Sequence, residues 1–263
     1  MEIEEKGICR LSVVPVRKEG SDKSEIVTEL LFGEHYTVTE VSKDKKWLKI
    51  LIHFDKYEGW LDAKQHTRIS DEYFNQINNV DYKICTELSS SILYKKHQLP
   101  IVIGSILPIS TNEIFKVEEQ LAFNGESKSL SQKREFDFLK QMACKYLNAP
   151  YLWGGRSPFG IDCSGFTQII FRICGYTLPR DSSQQVKAGS AVASVEESKP
   201  GDLAFFHNDK GAITHVGLIL NQKDIIHASG RVRIDTLDEQ GILNKETNTY
   251  SHQLSSIRRI IKD

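Results

Sequence analysis

The sequence predicts an α+β protein, and three observations predict it. The first half alternates short runs of β-branched and aromatic residues with polar turns. After about residue 131 two stretches take on helical spacing, and strand-like runs split by turn dipeptides follow them. Helices followed by an antiparallel run of strands is an α+β order, unlike the strict alternation of a parallel sheet. At 263 residues the chain can bury a sizeable core in two or three compact units.

Taken in order, "ICRLSVVPV", "EHYTVTEVS", "WLKILIHF" and "EGWLDA" read as strands over residues 8–70. "KEGSDKS" and "SKDKK" are the breaks between them, so a small barrel or sandwich is expected. "DYKICTEL", "SSILYKK", "LPIVIGSILPIS" and "EIFKVEEQLAFNG" repeat the style, with Pro100 and Pro108 bracketing an apolar strand. The expected division is therefore a β domain over 1–70, a second over 71–130 and a mixed domain over 131–263. In the last, "REFDFLKQMACKYLNAPY" places Phe138, Met142 and Leu147 near helical spacing, with Leu139 and Ala143 beside them and Pro150 as its end. "DCSGFTQIIFRICGY" reads as a helix stopped by Gly175. "PGDLAFFHN", "ITHVGLILN" and "DIIHASG" are three strands.

Composition narrows the function classes. A formal net charge of −1 leaves no global basic field for nucleic acid or a membrane surface. No apolar run approaches the roughly 20 residues that cross a bilayer. The acidic "MEIEEKGICR" lacks the basic and apolar regions of a secretory signal, so a cytoplasmic protein is expected. Five scattered cysteines without a CxxC pair give neither a zinc knuckle nor a redox pair, and no metal or cofactor is expected.

One cysteine stands apart. Cys163 lies between Asp162 and Ser164, where a glycine-rich loop meets the start of the predicted helix. The N–H groups and positive dipole end of a helix N-terminus stabilise a thiolate, so a low-pKa, reactive thiol is expected there. Cys174, about three turns further in, is expected to be inert. Such a nucleophile needs a base, and His215 and His227 fall in consecutive predicted strands after it. Side by side in antiparallel strands, one faces the thiol and the other orients it. A lone histidine in a strand is more often structural, and spacing alone leaves both readings open.

The segments "YLWGGRSPFGIDCSGF", "LPRDSSQQ", "KPGDLAFF", "ITHVGLIL" and "IIHAS" resemble, in order, the NlpC/P60 cysteine peptidases. "SEIVTELLFGE", "WLKILI" and "YEGWLD" are similar to the bacterial SH3-type domain that precedes the catalytic domain in the γ-D-glutamyl-L-diamino acid endopeptidases. The resemblance implies a papain-like catalytic domain behind two small all-β SH3-like barrels. It implies Cys163 as nucleophile, His215 as base and His227 as orienter. It also implies cleavage of the γ-D-glutamyl bond to the diamino acid of a wall peptide whose L-Ala amine is free. The partner is then a small peptide substrate, and the protein acts as a monomer.

The same resemblance assigns further roles. Tyr151 and Trp153 line the cleft, with Tyr151 helping to hold the oxyanion. Asp162 and Ser164 bind backbone or carboxylate groups of the peptide. Asp181 and Ser182 contact its first residue, where a carboxylate suits an ammonium group. Arg180 either orients Asp181 or meets the substrate carboxylate. Glu25 and Tyr57 of the first SH3-like domain, which closes one end of the cleft, are amine and cleft contacts, with Glu29 or Glu58 as substitutes for Glu25. Two other readings stay open: an amidase or acyltransferase of the same fold, and a non-catalytic binder of wall fragments.

Overall fold

The computed structural model describes residues 5–110, 115–116 and 121–261. They divide into two compact units, one of Met1–Lys133 with Trp153–Pro158, the other of Arg134–Leu152 with Phe159–Asp263.

The first unit opens with an antiparallel sheet in the spatial order Ile26–Leu31, Val13–Arg17, Glu58–Asp62, Trp47–Ile52, His35–Val41, Glu5–Ile8 and Arg68–Ile69. Alternation sets its inner face. Val14 and Val16 are buried while Val13, Pro15 and Arg17 are less so. Val14 faces Leu30, Tyr36 faces Ile52 and Leu48 faces Leu61 across the ladders, and these side chains form the first core.

Helix α1, Asp71–Asn79, follows the sheet and was not expected from the sequence. Ser70 caps it by accepting from the Tyr73 N–H, Asp71 and Glu72 suit its first turn, and Phe74 and Ile77 are its buried residues. Two apolar positions are too few to set a period. The cap was the readable signal.

Two small sheets complete the unit. One holds Ile106–Ser110, Tyr82–Cys85 and Ser127–Ser129; the other holds His97–Val102, Ser89–Tyr94, Leu121–Ala122 and Phe115–Lys116. The expected strand over residues 113–125 falls partly outside the described residues. The apolar run between Pro100 and Pro108 is two strands and not one, because Gly104 turns the chain at a φ of +88°. Each proline then sits on an edge strand, where its missing N–H costs no ladder bond. Phe32, from the turn after Ile26–Leu31, packs with Cys85, Ile92, Ile101 and Leu107 in the second core.

The second unit is built on helices α2 (Phe136–Lys145), α3 (Cys163–Ile173) and α4 (Ser182–Gln185). Helix α2 buries Leu139, Met142 and Ala143 of the expected set, while Phe138 is half-buried and Leu147 is exposed. Helix α3 is buried along its whole length. Its end is a Schellman turn, with Gly175 at φ +84°, the Gly175 N–H on the Arg172 carbonyl and the Tyr176 N–H on that of Phe171.

The three expected strands are present as Leu203–His207, Ile213–Ile219 and Asp224–Ser229. They belong to a larger array. Arg231–Leu237 and Gly241–Asn244 follow, and Thr249–Arg259 pairs with both Gly241–Asn244 and Leu203–His207, closing a six-stranded antiparallel barrel. Ala204, Phe206, Ile219, Ile225, Leu237, Ile242 and Ile257 share its apolar core. By the two-residue period, His215 lies on the face of Ile219, His227 on that of Ile225 and Asp235 on that of Leu237. One end of the barrel interior is thus polar.

Candidate active site

Asp162 is the N-cap of α3, and its Oδ1 accepts from the Gly165 N–H at 2.7 Å. Both carboxylate oxygens also meet Arg180, Nη1 at 3.0 Å and Nη2 at 2.6 Å, and the same Nη1 donates to Ser164 Oγ at 2.9 Å. Arg180 and Asp162 are almost wholly buried, so this bidentate pair fixes the start of α3. Arg180, whose role the sequence leaves open, thus clamps Asp162 and Ser164.

Cys163 is the first residue of α3, and its thiol lies near the Thr214 carbonyl at 4.0 Å, beside the strand that carries His215. The expected low-pKa thiol is not what the structure holds. Burial, and after it the Asp162 carboxylate, push the thiol up to about 12, against weaker help from the Val216 N–H and Arg180. The physical reason is first the burial of Cys163 and then the cap. Asp162 takes up a first-turn N–H and sets a negative charge where the helix dipole alone offers a positive one.

His215 and His227 meet as their strands suggest. Gly217 faces His227 across the ladder, and a side chain there would crowd the His227 Cβ at 3.0 Å. The bare position lets the two imidazoles bond diagonally, His215 Nε2 to His227 Nδ1 at 2.8 Å. His227 Nε2 lies 3.0 Å from Asp235 Oδ2. Asp235 is buried, and its Oδ1 accepts from the Lys245 N–H at 3.0 Å and Arg233 Nη2 at 3.1 Å. Burial alone would raise this carboxyl, but the bonds from His227, Lys245 and Arg233 hold it well below the usual range.

Proton accounting follows from these bonds. An ionised carboxylate only accepts, so a neutral His227 carries its hydrogen on Nε2 and accepts at Nδ1. His215 Nε2 must then be the donor, which leaves His215 Nδ1 as a lone pair. Burial, then His227 and His252, hold His215 well below its ordinary value, so it is neutral at neutral pH. A neutral imidazole with one assigned lone pair is a general base.

His252 is the third imidazole of the group. Candidate ligand atoms of His215, His227 and His252 lie within 4.8 Å of one another. His252 stacks face to face on His215, however, with ring centres 4.0 Å apart and planes at 21°. Lone pairs lie in the ring planes, so stacked rings do not converge them on one ion. This geometry suits ring packing better than metal ligation.

Tyr151 is half-buried, and burial together with Cys163 and Asp162 pushes its phenol up to about 12, so it remains a hydrogen-bond donor near the thiol. Asp181 precedes α4, its carbonyl accepts from the Gln184 and Gln185 N–H groups, and Ser182 is buried in the first turn. Gln185 ties α4 to α3: its Nε2 donates to the Ser164 carbonyl at 3.0 Å and its Oε1 accepts from Thr167 at 2.8 Å.

The remaining candidates lie in the first unit. Trp153 Nε1 donates to Glu25 Oε1 at 2.6 Å. Gly154, at φ +81°, lies against the Ile26 carbonyl where no side chain fits. Arg156 is fully buried and pairs with Glu34, Nη1 at 2.9 Å and Nη2 at 3.0 Å, while its N–H donates to Glu29 at 2.7 Å. Glu29 is therefore committed to Arg156, and Glu58 pairs with Lys49 on the surface at 3.0 Å. Tyr57 packs on the first core.

Asp235, His252 and Gln185 were absent from the sequence-based set. Only Gln185 had a local signal, as part of "RDSSQQ".

Residues 148–250 match the NlpC/P60 family, and residues 16–65 match the bacterial dipeptidyl-peptidase SH3 domain. The chain is 30% identical over 256 residues to a gamma-D-glutamyl-L-lysine dipeptidyl-peptidase of Bacillus cereus, covering 86% of this chain and 74% of that protein. A Bacillus subtilis protein of the same name is 29% identical over 260 residues, covering 90% and 82%. The crystal structure of an NlpC/P60 family protein from Bacillus cereus shares the fold at a TM-score of 0.83 and 23% identity, covering 98% of this chain and 100% of that one. A helix-borne cysteine, two barrel histidines and an N-terminal SH3 domain thus come together in one chain, which belongs to the NlpC/P60 family of peptidases.

Proposed function

We propose that the protein hydrolyses the bond between the γ-carboxyl of D-Glu and the diamino acid in wall peptides with a free N-terminal L-Ala, releasing L-Ala-D-Glu. The observation that carries this reading is the chain Asp235–His227–His215, which leaves one imidazole lone pair on the strand beside Cys163. The names of the Bacillus relatives support the substrate class.

In the proposed reaction His215 Nδ1 takes the thiol proton as Cys163 Sγ attacks the γ-carbonyl carbon. The Tyr151 phenol and the Cys163 N–H donate to the oxyanion. The imidazolium then gives its proton to the departing amine, the C–N bond breaks and a thioester remains. Water, deprotonated by His215, cleaves the thioester and restores the thiol. Transfer is coupled to attack, because thiol and imidazole are both neutral at rest.

Asp181 receives the L-Ala ammonium in this reading. Peptides still joined to glycan through that nitrogen present an uncharged amide, which gives the Asp181 carboxylate no cation to pair with. The same reading takes the unit that bears Cys163 as papain-like. It takes residues 71–130 as a second SH3-like domain after the one over 1–70, and the enzyme as a cytoplasmic monomer that recycles wall peptides.

The test is hydrolysis of L-Ala-γ-D-Glu-L-Lys and its N-acetylated form, with products identified by mass spectrometry. The reading predicts that only the free peptide is cut. Equal cleavage of both removes the role of Asp181, and cleavage of neither, with the diaminopimelate peptide also uncut, removes the activity.

A further inference from the structure

His252 takes no part in the reaction proposed above, yet among the described residues its ring is the nearest to that of His215. It reaches the site from Thr249–Arg259, the strand that closes the barrel. That strand is tightly placed there. His252 pairs with Ile242, and Gly241, at φ +145°, lies against the His252 carbonyl with no room for a side chain. Its ring is set in turn by a bond between Nδ1 and Ser251 Oγ at 2.9 Å.

Consider what holds the base. The bond from His215 Nε2 to His227 fixes one edge of the ring and leaves it free to swing about that edge. A flat group on the ring face removes this freedom. His252 supplies one, stacked at 4.0 Å and 21°, while Phe206 meets His215 only at a tilt, at 5.7 Å and 47°. His252 stands edge-on to His227, at 5.7 Å and 86°, so it favours the face of the base over that of its orienter.

We propose that His252 is a positioning residue: its stacked ring holds the plane of His215 and faces the positive charge that His215 acquires when it takes the thiol proton. The inference rests on the reading of His215 as the base. An aromatic face attracts a cation over it, most strongly where water is excluded. His252 can play this part because it is uncharged at neutral pH. Burial, and after it His227, bring it down to about 4, against the opposing pull of Asp235. A charged ring there would instead repel the imidazolium.

Two substitutions separate a stacking role from simple filling. His252→Phe keeps a flat aromatic face, and His252→Leu keeps bulk without one. With L-Ala-γ-D-Glu-L-Lys, His252→Leu is expected to lower kcat about tenfold, equivalent to about 1.4 kcal/mol, with KM within twofold. His252→Phe is expected to stay within threefold of the parent. Alkylation of Cys163 by iodoacetamide at pH 7 should follow the same order. It needs no peptide, so it decides the inference even where the peptide is uncut and the substrate assignment fails. Circular dichroism checks that each variant is folded. A His252→Leu enzyme within twofold of the parent in kcat and alkylation, or a His252→Phe enzyme as slow as His252→Leu, overturns the proposal.

Discussion

His227 Nε2 stands 3.0 Å from Asp235 Oδ2, and this one bond assigns the protons all the way to the lone pair of His215. The carboxylate fixes the His227 tautomer, His227 fixes that of His215, and the base nitrogen is left bare.

Asp235→Asn tests the relay. An amide can donate to His227 Nε2, which moves the His227 proton to Nδ1 and reverses the tautomer of His215. Cleavage is expected to fall in kcat by about 100- to 10,000-fold, the scale seen when a base is held in the wrong tautomer, with little change in KM. Steady-state kinetics on the free peptide measure it. A variant with kcat near the parent value would remove Asp235 from the mechanism.

The thiol should behave as a neutral group. Because Cys163 is pushed up to about 12, its alkylation by iodoacetamide is expected to rise steadily from pH 7 to 10. A rate already level below pH 7 would mean a preformed thiolate and would contradict the neutral resting pair. Modified protein is counted by intact mass, with Cys163→Ala as the background.

Stability should fall on acidification before the carboxylates titrate. His215 and His252 have folded values below the ordinary histidine value of about 6.5, so below that pH the unfolded chain binds more protons. Their contribution is present above about pH 6.5 and is lost as pH falls, with the His252 part spent by about pH 4. Calorimetry from pH 7 to 4 is expected to show a falling Tm, less steep in His252→Phe. Equal slopes would place the acid sensitivity elsewhere.

Arg180→Ala leaves the Asp162 carboxylate buried without its guanidinium. Removing one member of a buried pair costs about 3–5 kcal/mol, and denaturant unfolding should report a loss of that order. Activity should fall as well, since Asp162 caps the turn that presents Cys163. A loss below about 1 kcal/mol, the scale of an exposed pair, would contradict the buried clamp.

Much of the site was legible in the sequence, for local reasons. The Asp162–Cys163 helix start and the Gly175 stop are signals within a few residues, and His215 and His227 sit in strands with clear β-branched runs. Asp235 and His252 were not legible. Asp235 reaches His227 from Arg231–Leu237, the strand after the last one read from the sequence, and His252 joins only because Thr249–Arg259 returns to close the barrel, a pairing between distant parts of the chain that no local pattern encodes. The partner of Arg180 was hidden because it lies 18 residues back, at the start of α3. The burial of the thiol was not legible, and the cap that reads as a helix signal also sets a charge on the group beside it. In the first unit, the apolar run at 99–110 looked like one strand until Gly104 turned it.

The central claim is that Cys163 is the nucleophile, and release of L-Ala-D-Glu from L-Ala-γ-D-Glu-L-Lys by the parent and by Cys163→Ala tests it most directly. The account predicts product from the parent and a rate at least about 10,000-fold lower from the variant, the order lost when a catalytic nucleophile is removed. Product from Cys163→Ala at a rate near that of the parent would contradict it.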